Sequence, residues 1–254
     1  MKDARSSAGL IREQPPLLSL IIPARNEEER LPATLAQIAA FVEAQKQYAA
    51  EVIVVDSAST DATREIVMGY CDRYPFMKYL YEKTIGKGAA VRTGMMAGQG
   101  DYLLACDADL AVPIEEVGKF LPPQLPASDI AIGSRQAKGA RRYGEPFHRH
   151  LMGRVFNLIV RILLLPGLDD TQCGFKCFRH DVAQELFSLN TINGWSFDVE
   201  VLYIARLKGY RITEVPVHWY YGEKSKVRPV QDTWAMLNEI LQIRRNGRDG
   251  LYTR

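Results

Sequence analysis

Short apolar runs alternate with longer helix-like stretches through the first half of the chain. The runs cover residues 17–22, 52–55, 78–81, 101–107 and 130–132. Their length and their flanking glycine, proline or acidic residues are typical of buried strands. This alternation predicts an α/β fold with a mostly parallel sheet and helices on both faces.

Residues at the start of the intervening stretches favour helices. Asn26 is a predicted helix cap, with acids at residues 27–29 in a first turn, where the helix dipole stabilises negative charge. Gly86-Lys87-Gly88 is predicted to open another helix, and Pro113 suits the first turn of a third. We therefore expect one helix between each pair of successive strands.

The pattern in the second half of the chain is less regular. Residues 138–149 are basic and are predicted to form a loop. The elements predicted after it are a helix at about 147–165, an irregular strand at 169–178, a helix at 195–208, a strand at 211–219, a charged loop at 222–228 and a helix at 230–245. We expect residues 1–16 to form a flexible tail and residues 17–254 to form a single domain.

Composition narrows the class of protein. The chain has 254 residues, of which 47% are hydrophobic and 24% charged, which is enough for one large core or two small ones. A net charge of +2 gives no indication of nucleic-acid binding. The four cysteines form no disulfide framework, so we expect a cytoplasmic protein. Residues 151–168 are the most membrane-like, but charged and polar side chains interrupt them, so no transmembrane helix is predicted.

The most informative motif is Asp107-Ala108-Asp109, which ends a buried apolar run. In an open α/β sheet, ligands bind beyond the carboxyl ends of the strands. Two carboxylates at that place can hold Mg²⁺ or Mn²⁺ while substrate phosphates complete the coordination shell. The alternative is a solvated turn in which either acid caps the next helix.

Two further motifs lie at predicted strand ends or helix starts. Asp56 ends the second strand, where acids often bind a nucleoside, although a turn residue is the simpler interpretation. Gly86-Lys87-Gly88 offers free backbone N–H groups and one cation to a phosphate. It matches neither a P-loop nor a dinucleotide fingerprint, so by itself it is a weak signal.

The basic residues after the fifth strand precede an amphipathic helix. Leu151, Val155, Leu158, Ile159 and Ile162 fall on one stripe of that helix. The stripe suits a membrane interface or, equally, the protein core. Asp198 lies at the start of a later apolar helix. Its role is either that of a general base or that of a negative charge that the helix dipole stabilises.

Together these motifs resemble the family 2 glycosyltransferases with a GT-A (Rossmann-like) fold. The matching segments are residues 20–28, 53–61, 86–92 and 107–109. Residues 133–135, 170–176, 195–200 and 225–226 are similar to the dolichyl-phosphate β-glucosyltransferases and other polyprenyl-phosphate glycosyltransferases. The resemblance extends over about residues 17 to 245.

The resemblance implies a role for each motif. Nucleotide contacts are expected at Pro23, Ala24, Arg25, Glu27 and Asp56, with Lys87 near the donor and Asp107 and Asp109 on the metal and diphosphate. Arg25 stands where tyrosine is frequent, so its guanidinium would grip the base. The acceptor phosphate is expected at Arg135, Arg141, Arg142, Arg149 and Lys226. Catalytic roles fall to Asp107, Asp109, Arg135 and Asp198.

The implied function is inverting transfer of a hexose, glucose from UDP-glucose, onto a polyprenyl or dolichyl phosphate. The enzyme would require Mg²⁺ or Mn²⁺ and would bind peripherally at the cytoplasmic face of a membrane. Since an acceptor phosphate is already anionic near neutral pH, Asp198 would orient a substrate or a basic residue. The alternatives are a GDP-mannose-dependent enzyme, a soluble acceptor, a nucleotidyltransferase and a nucleotide-binding scaffold.

Overall fold

A central β-sheet organises the molecule. The computed structural model describes residues 18–125, 128–222 and 229–253. The strands found there are β1 (Leu18–Ala24), β2 (Ala50–Ser57), β3 (Met77–Glu82), β4 (Tyr102–Cys106), β5 (Ile130–Ser134), β6 (Arg141–Tyr143), β7 (Phe175–Arg179), β8 (Ile212–Pro216) and β9 (His218–Tyr220). Seven of them form one sheet in the order β3-β2-β1-β4-β7-β5-β8, and β6 pairs with β9 separately.

Strand direction determines which loops meet at each edge of the sheet. β1, β2, β3 and β4 run parallel, as do β5 and β8, whereas β7 is antiparallel to both β4 and β5. The carboxyl ends of β1, β2, β4 and β5 therefore lie along one edge. The amino end of β7 joins them, because Phe175 pairs with Cys106.

Helices cover both faces of this sheet. They are α1 (Leu31–Ala44), α2 (Thr63–Arg73), α3 (Lys87–Ala97), α4 (Phe147–Leu163), α5 (His180–Leu189), α6 (Phe197–Leu207) and α7 (Pro229–Arg248), with 3-10 turns at Ile114–Phe120 and Leu251–Thr253. One core packs α1, α2 and the first 3-10 turn against the sheet. The other packs the remaining helices against the opposite face. The predicted α/β architecture is confirmed.

The helix that follows β1 begins later than predicted. α1 starts at Leu31, and Asn26 lies in a left-handed turn with a φ of 52°. The Asn26 side-chain oxygen accepts a hydrogen bond from the backbone N–H of Thr60, at 2.8 Å. The predicted helix cap at Asn26 is therefore wrong, because the loop after β2 uses its side chain.

The second half of the chain differs from the prediction at three places. Residues 138–149 are not simply a loop, because β6 forms there and pairs with β9. The predicted strand at 211–219 is divided at Val217, whose N–H donates to Ser134 while its carbonyl accepts from Arg141. The chain thus changes pairing partner at Val217 and leaves the central sheet. Helix α5 was not predicted.

No helix in the described ranges is long and apolar enough to cross a membrane. The predicted tail at residues 1–16 and most of the predicted loop at 222–228, including Lys226, lie outside the described residues.

Candidate active site

The two predicted metal ligands lie in a turn directly after β4. Thr34 of α1 donates to the carbonyl of Ala108 at 2.6 Å, and the N–H of Leu110 donates to the carbonyl of Asp107 at 3.0 Å. On the other side the chain passes so close that a Cβ at Gly174 would lie 1.9 Å from the Asp107 carboxylate. The turn is therefore held by α1 on one side and by the residues before β7 on the other, and Asp107 requires glycine opposite it.

The charges of this turn suit a divalent cation. Burial and the neighbouring charge of Asp107 raise the pKa of Asp109, whose Oδ1 also accepts from the N–H of Ala111 at 3.0 Å. A cation between the carboxylates would relieve this repulsion. Within the described ranges no group of three or more His, Cys, Asp or Glu residues forms a metal cage. The donor set thus fits a hard metal ion that keeps sites for substrate phosphates.

Lys87 contributes a positive charge to the same place. Its Nζ lies 2.6 Å from Oδ1 of Asp107 and 5.7 Å from the centre of the Trp195 ring. Burial opposes the charge, but the carboxylates of Asp107, Asp198 and Asp109 outweigh burial and raise the pKa of Lys87. The structure therefore brings Lys87, expected near the donor, into contact with Asp107, expected at the metal and diphosphate, and Lys87 is charged.

The backbone around Lys87 does not offer the free N–H groups that the sequence suggested. Gly86 N–H donates to Oγ of Ser57 at 3.0 Å, and the N–H groups of Gly88 and Ala89 donate to the carbonyl of Asn193 at 2.9 and 3.4 Å. Added Cβ atoms at Gly86 and Gly88 would lie 2.1 Å from Asn193 and 2.5 Å from Ile192. The phosphate-binding interpretation of these N–H groups is wrong, because Ser57 and the Asn193 carbonyl already accept from them.

Asp56 lies beside the residues that end β1. It is buried and pairs with Ala24 in the sheet register. Its Oδ1 accepts from the N–H of Ser59 at 2.9 Å, and its Oδ2 accepts from the Tyr79 hydroxyl, also at 2.9 Å. Burial and this hydrogen bond raise the pKa of Tyr79 to about 12. Asp56 therefore has a fixed orientation at the end of β2.

The loops after β1 and β2 are joined by reciprocal hydrogen bonds. The N–H of Glu27 donates to Oγ1 of Thr63 at 2.8 Å, and the N–H of Ala62 donates to the Glu28 carboxylate at 3.0 Å. Glu27 also pairs with Arg30 at 3.2 Å. Pro23, Ala24, Arg25, Glu27 and Asp56 are thus brought to one place, as predicted for a nucleotide site.

Arg135 is held by an aspartate that the sequence did not identify as its partner. Its Nε and Nη2 donate to the two Asp170 oxygens at 2.7 and 2.9 Å, and its backbone N–H donates to Asp170 at 2.8 Å. The guanidinium carbon lies 5.4 Å from the centre of the Trp219 ring. Burial would raise the pKa of Asp170, but Arg135 outweighs burial and lowers it. The 170–176 motif contains Asp170, so this motif was the sequence signal that could have identified it as a site residue.

The other predicted acceptor residues have different surroundings. Arg142 donates to the Arg135 carbonyl at 3.2 Å and to Glu145 at 2.7 Å, so it lies next to Arg135 but is already paired. Arg141 is exposed. The Arg149 side chain and Lys226 lie outside the described part of the chain.

Asp198 is buried and ion-paired. Its Oδ2 lies 3.0 Å from Nζ of Lys176, and Lys176 also donates to the carbonyl of Cys173 at 2.5 Å. Both side chains line a small cavity together with Lys87, Asp107 and Gly174. Lys176 was missed as a site residue, although the 170–176 motif contains it. This pairing suits an orienting role for Asp198 better than proton transfer.

Helix α4 has one buried and one exposed apolar face. Phe156 and Val160 pack into the core, as does Leu164, which directly follows the helix. The predicted stripe lies opposite: Leu151, Val155, Leu158 and Ile162 are 52–71% exposed, and Ile159 is half-buried. Arg161 beside it pairs with Asp169 at 2.9 Å. The stripe is therefore not part of the core, and the apolar side chains Phe147 and Met152 extend it.

Comparisons with known proteins agree on one family. The family described as Glycosyl transferase family 2 matches residues 19–187. The human dolichyl-phosphate beta-glucosyltransferase is 34% identical over 89% of this chain and 74% of its own length. The Drosophila melanogaster enzyme of the same name is 35% identical with the same coverage, and the Saccharomyces cerevisiae enzyme is 28% identical over 92% of this chain and 76% of its own length.

Solved structures show the same fold. Glucosyl-3-phosphoglycerate synthase from Mycobacterium tuberculosis, in complex with Mn²⁺, UDP-glucose and phosphoglyceric acid, aligns with a TM-score of 0.65 at 19% identity. The alignment covers 92% of this chain and 80% of that chain. The complex of that synthase with UDP gives the same TM-score. The predicted GT-A fold is confirmed by this likeness.

Proposed function

Because the chain belongs to glycosyltransferase family 2, we propose that it transfers glucose from UDP-glucose to a polyprenyl phosphate such as dolichyl phosphate. One observation carries the proposal. The donor-side groups Lys87 and Asp107 and the acceptor-side group Arg135 lie along one sheet edge, in a chain that aligns over 89% of its length with dolichyl-phosphate beta-glucosyltransferases. UDP-glucose carries its glucose in α linkage, so a β product means inversion.

The donor half of the site is the edge formed by β1, β2 and β4. Asp56 would accept hydrogen bonds from the nucleoside, and Arg25 would lie against the base. Asp107 and Asp109 would hold Mg²⁺ or Mn²⁺, which when bound supplies positive charge for the leaving diphosphate. The ammonium of Lys87 adds a second positive charge beside Asp107. The solved synthase bound to Mn²⁺ and UDP-glucose supports this choice of donor and metal.

The acceptor half of the site is centred on Arg135. Asp170 and the Trp219 ring hold its guanidinium, which would bind the acceptor phosphate by charge-assisted hydrogen bonds. A phosphate oxygen then forms a bond to the anomeric carbon, and the bond from that carbon to the diphosphate breaks, with its electron pair leaving on UDP. A phosphate monoester has a second pKa of about 6, so no general base is required.

The proposed acceptor and helix α4 both support attachment to a membrane. A polyprenyl chain stays in the bilayer, so the enzyme must approach the surface. The exposed α4 stripe, with Arg154 on the same exposed part of the helix, suits an interfacial position in which aliphatic groups lie below the phosphates. We propose that the protein binds peripherally, by this face, at the cytoplasmic side.

A soluble acceptor is the second candidate. The solved synthase with phosphoglyceric acid has the same fold, and an Arg-based phosphate site would serve a small phosphorylated molecule equally well. GDP-mannose as donor, nucleotidyl transfer and a non-catalytic nucleotide-binding scaffold are further alternatives. The first differs from the proposal in its donor, the second in its product, and the third in having no turnover.

A matrix of donors and acceptors tests the proposal. UDP-glucose and GDP-mannose are each incubated with a short polyprenyl phosphate, with phosphoglyceric acid or with no acceptor, and nucleotide release is measured. We expect release only with UDP-glucose and the polyprenyl phosphate, and loss of release in Asp109→Asn. Faster nucleotide release with GDP-mannose than with UDP-glucose would contradict the proposed donor. Release with phosphoglyceric acid but not with the polyprenyl phosphate would favour the soluble acceptor. No turnover under any condition would favour the scaffold.

A further inference from the structure

A buried carboxylate organises the loop that precedes α6. Glu200 is fully buried in α6 and accepts five hydrogen bonds. Three reach Oε2, from the N–H groups of Thr191 and Ile192 and the side-chain amide of Asn190, and two reach Oε1, from the hydroxyls of Thr191 and Tyr252. We call residues 190–195 the α5–α6 loop. Glu200 is therefore the internal anchor of this loop.

The other side of the α5–α6 loop packs on the first turn of α3. The Asn193 carbonyl accepts from Gly88 and Ala89. The Arg92 guanidinium donates to the Asn190 carbonyl at 3.1 Å and to the Asn193 side chain at 2.8 Å. Glycine is needed on both sides of Lys87 because the loop lies closer there than a Cβ permits. The loop thus determines the position of the α3 start.

The loop ends at the catalytic centre. Trp195 is its last residue, and its ring lies beneath the Lys87 ammonium, which contacts Asp107. A continuous set of contacts therefore runs from the Glu200 carboxylate through residues 190–195 to the Lys87–Asp107 pair. These contacts also extend to the last two elements of the chain. Tyr252 of the final 3-10 turn donates to Glu200, and the N–H of Ser196 donates to Glu239 of α7 at 3.0 Å.

We propose that Glu200 is a positioning residue for Lys87. Its anchoring of the α5–α6 loop holds the Trp195 ring and the start of α3 so that the Lys87 ammonium stays on Asp107. The role of Lys87 toward the donor diphosphate rests on the proposed function, but its position does not. A misplacement of about 1 Å at a reacting centre can cost roughly a hundredfold in rate, so loss of this anchor should act on donor use.

The test is Glu200→Ala, with the protein labelled with 5-fluorotryptophan and observed by ¹⁹F NMR. The chain has three tryptophans, so Trp195→Phe assigns the resonance of interest. Trp219→Phe assigns the reference resonance, because Trp219 lies against Arg135 and outside this set of contacts. We expect Glu200→Ala to shift or broaden the Trp195 resonance and leave that of Trp219 unchanged. In the glucosyl-transfer assay, the donor KM should rise at least about tenfold while the acceptor KM stays within about twofold.

The conservative variant Glu200→Gln should have the wild-type Trp195 resonance and the wild-type donor KM. The amide oxygen can replace Oε2 toward its three N–H partners, and the two hydroxyls at Oε1 can turn to accept from the amide N–H. If Glu200→Ala does not fold, Glu200→Asp decides the question, because it keeps the charge but withdraws the carboxylate by one methylene. An unchanged Trp195 resonance and donor KM in the folded variant would overturn the proposal.

Glu51→Ala is the matched control. Glu51 is a buried carboxylate at the opposite edge of the sheet that accepts from Ser19, Gln99 and Lys78. Its loss should lower the melting temperature and leave the Trp195 resonance and donor KM unchanged. An equal response in Glu51→Ala would mean that general destabilisation explains the effect, which also overturns the proposal. If the wild type transfers no sugar, the proposed function fails, and the NMR result still decides the role of Glu200.

Discussion

The ammonium of Lys87 lies 2.6 Å from one carboxylate oxygen of Asp107. The pair joins the first turn of α3 to the carboxyl end of β4, so it connects elements that the chain reaches separately. A cation and a carboxylate in contact at a sheet edge provide opposite charges within the space that a sugar diphosphate needs. The proposed function places the leaving diphosphate beside this pair.

Metal dependence is the first prediction. Removal of divalent cations with a chelator should abolish glucosyl transfer, and Mg²⁺ or Mn²⁺ should restore it, because Asp107 and Asp109 then have a cation to place on the diphosphate. Asp109→Asn should lower kcat by about 10²–10³-fold with an unchanged melting temperature. Asp72→Asn, at an exposed position on α2, is the control and should have wild-type activity. Full activity in chelator would contradict the metal role.

Nucleotide binding gives the second prediction. Asp56→Ala should raise the Kd for UDP by about tenfold or more, since loss of one hydrogen bond to a charged group costs about 1.5–3 kcal/mol. Tyr79→Phe removes one of the two bonds that orient Asp56 and should have a smaller effect in the same direction. Isothermal titration calorimetry measures both. An unchanged UDP affinity in folded Asp56→Ala would exclude Asp56 from the site.

The ion pair between Arg135 and the buried Asp170 gives the third prediction, a pH-dependent stability. The pKa of Asp170 is lower in the folded protein than in the unfolded chain, where it is about 3.9. Its contribution is therefore fully present above about pH 4 and is lost as the pH falls through the folded pKa. Asp170→Asn should lower the free energy of unfolding by about 3 kcal/mol at pH 7, and this difference should shrink in acid.

Urea unfolding at several pH values measures this difference. Asp169→Asn is the matched control, because Asp169 is half-exposed and pairs with Arg161 at the surface. Its effect should stay below about 1 kcal/mol at every pH. A gap between wild type and Asp170→Asn that is the same at pH 3 as at pH 7 would contradict a stabilising ionised Asp170.

Membrane binding by α4 is the fourth prediction. The protein should float with anionic vesicles at low salt and float less as salt rises, since electrostatic attraction is screened. Replacing Leu151, Leu158 and Ile162 with serine should abolish flotation without lowering the melting temperature, because all three are exposed. Leu207→Ser, at an exposed leucine of α6, should float like the wild type. A protein that stays unbound at low salt would make the soluble acceptor the first choice.

The sequence was sufficient for the features that depend on local pattern. The apolar run before Asp107 predicted β4, and topology then placed Asp56, Asp107 and Arg135 at one edge. The stripe on α4 could be read from helical spacing, but its exposure could not. Periodicity shows that one face is apolar and does not show whether other elements cover it.

Features that depend on distant partners could not be predicted. Asn193 occupies the N–H groups of Gly88 and Ala89 from more than a hundred residues away, so the local sequence could not show that these groups are already paired. Asp170 holds Arg135, and Lys176 holds Asp198, through contacts that form only when β7 enters the sheet between β4 and β5. Single-sequence patterns contain no information on such pairs, because each partner satisfies its own local rules.

The most direct test of the account is the structure of the product. Wild-type protein is incubated with Mn²⁺, ¹³C-labelled UDP-glucose and a short polyprenyl phosphate, and the lipid product is analysed by mass spectrometry and NMR. Inverting transfer predicts a glucosyl phosphate lipid whose anomeric proton shows β configuration, together with one equivalent of UDP. A product with retained α configuration, or the release of UDP with no lipid-linked glucose, would contradict inverting glucosyl transfer to a polyprenyl phosphate.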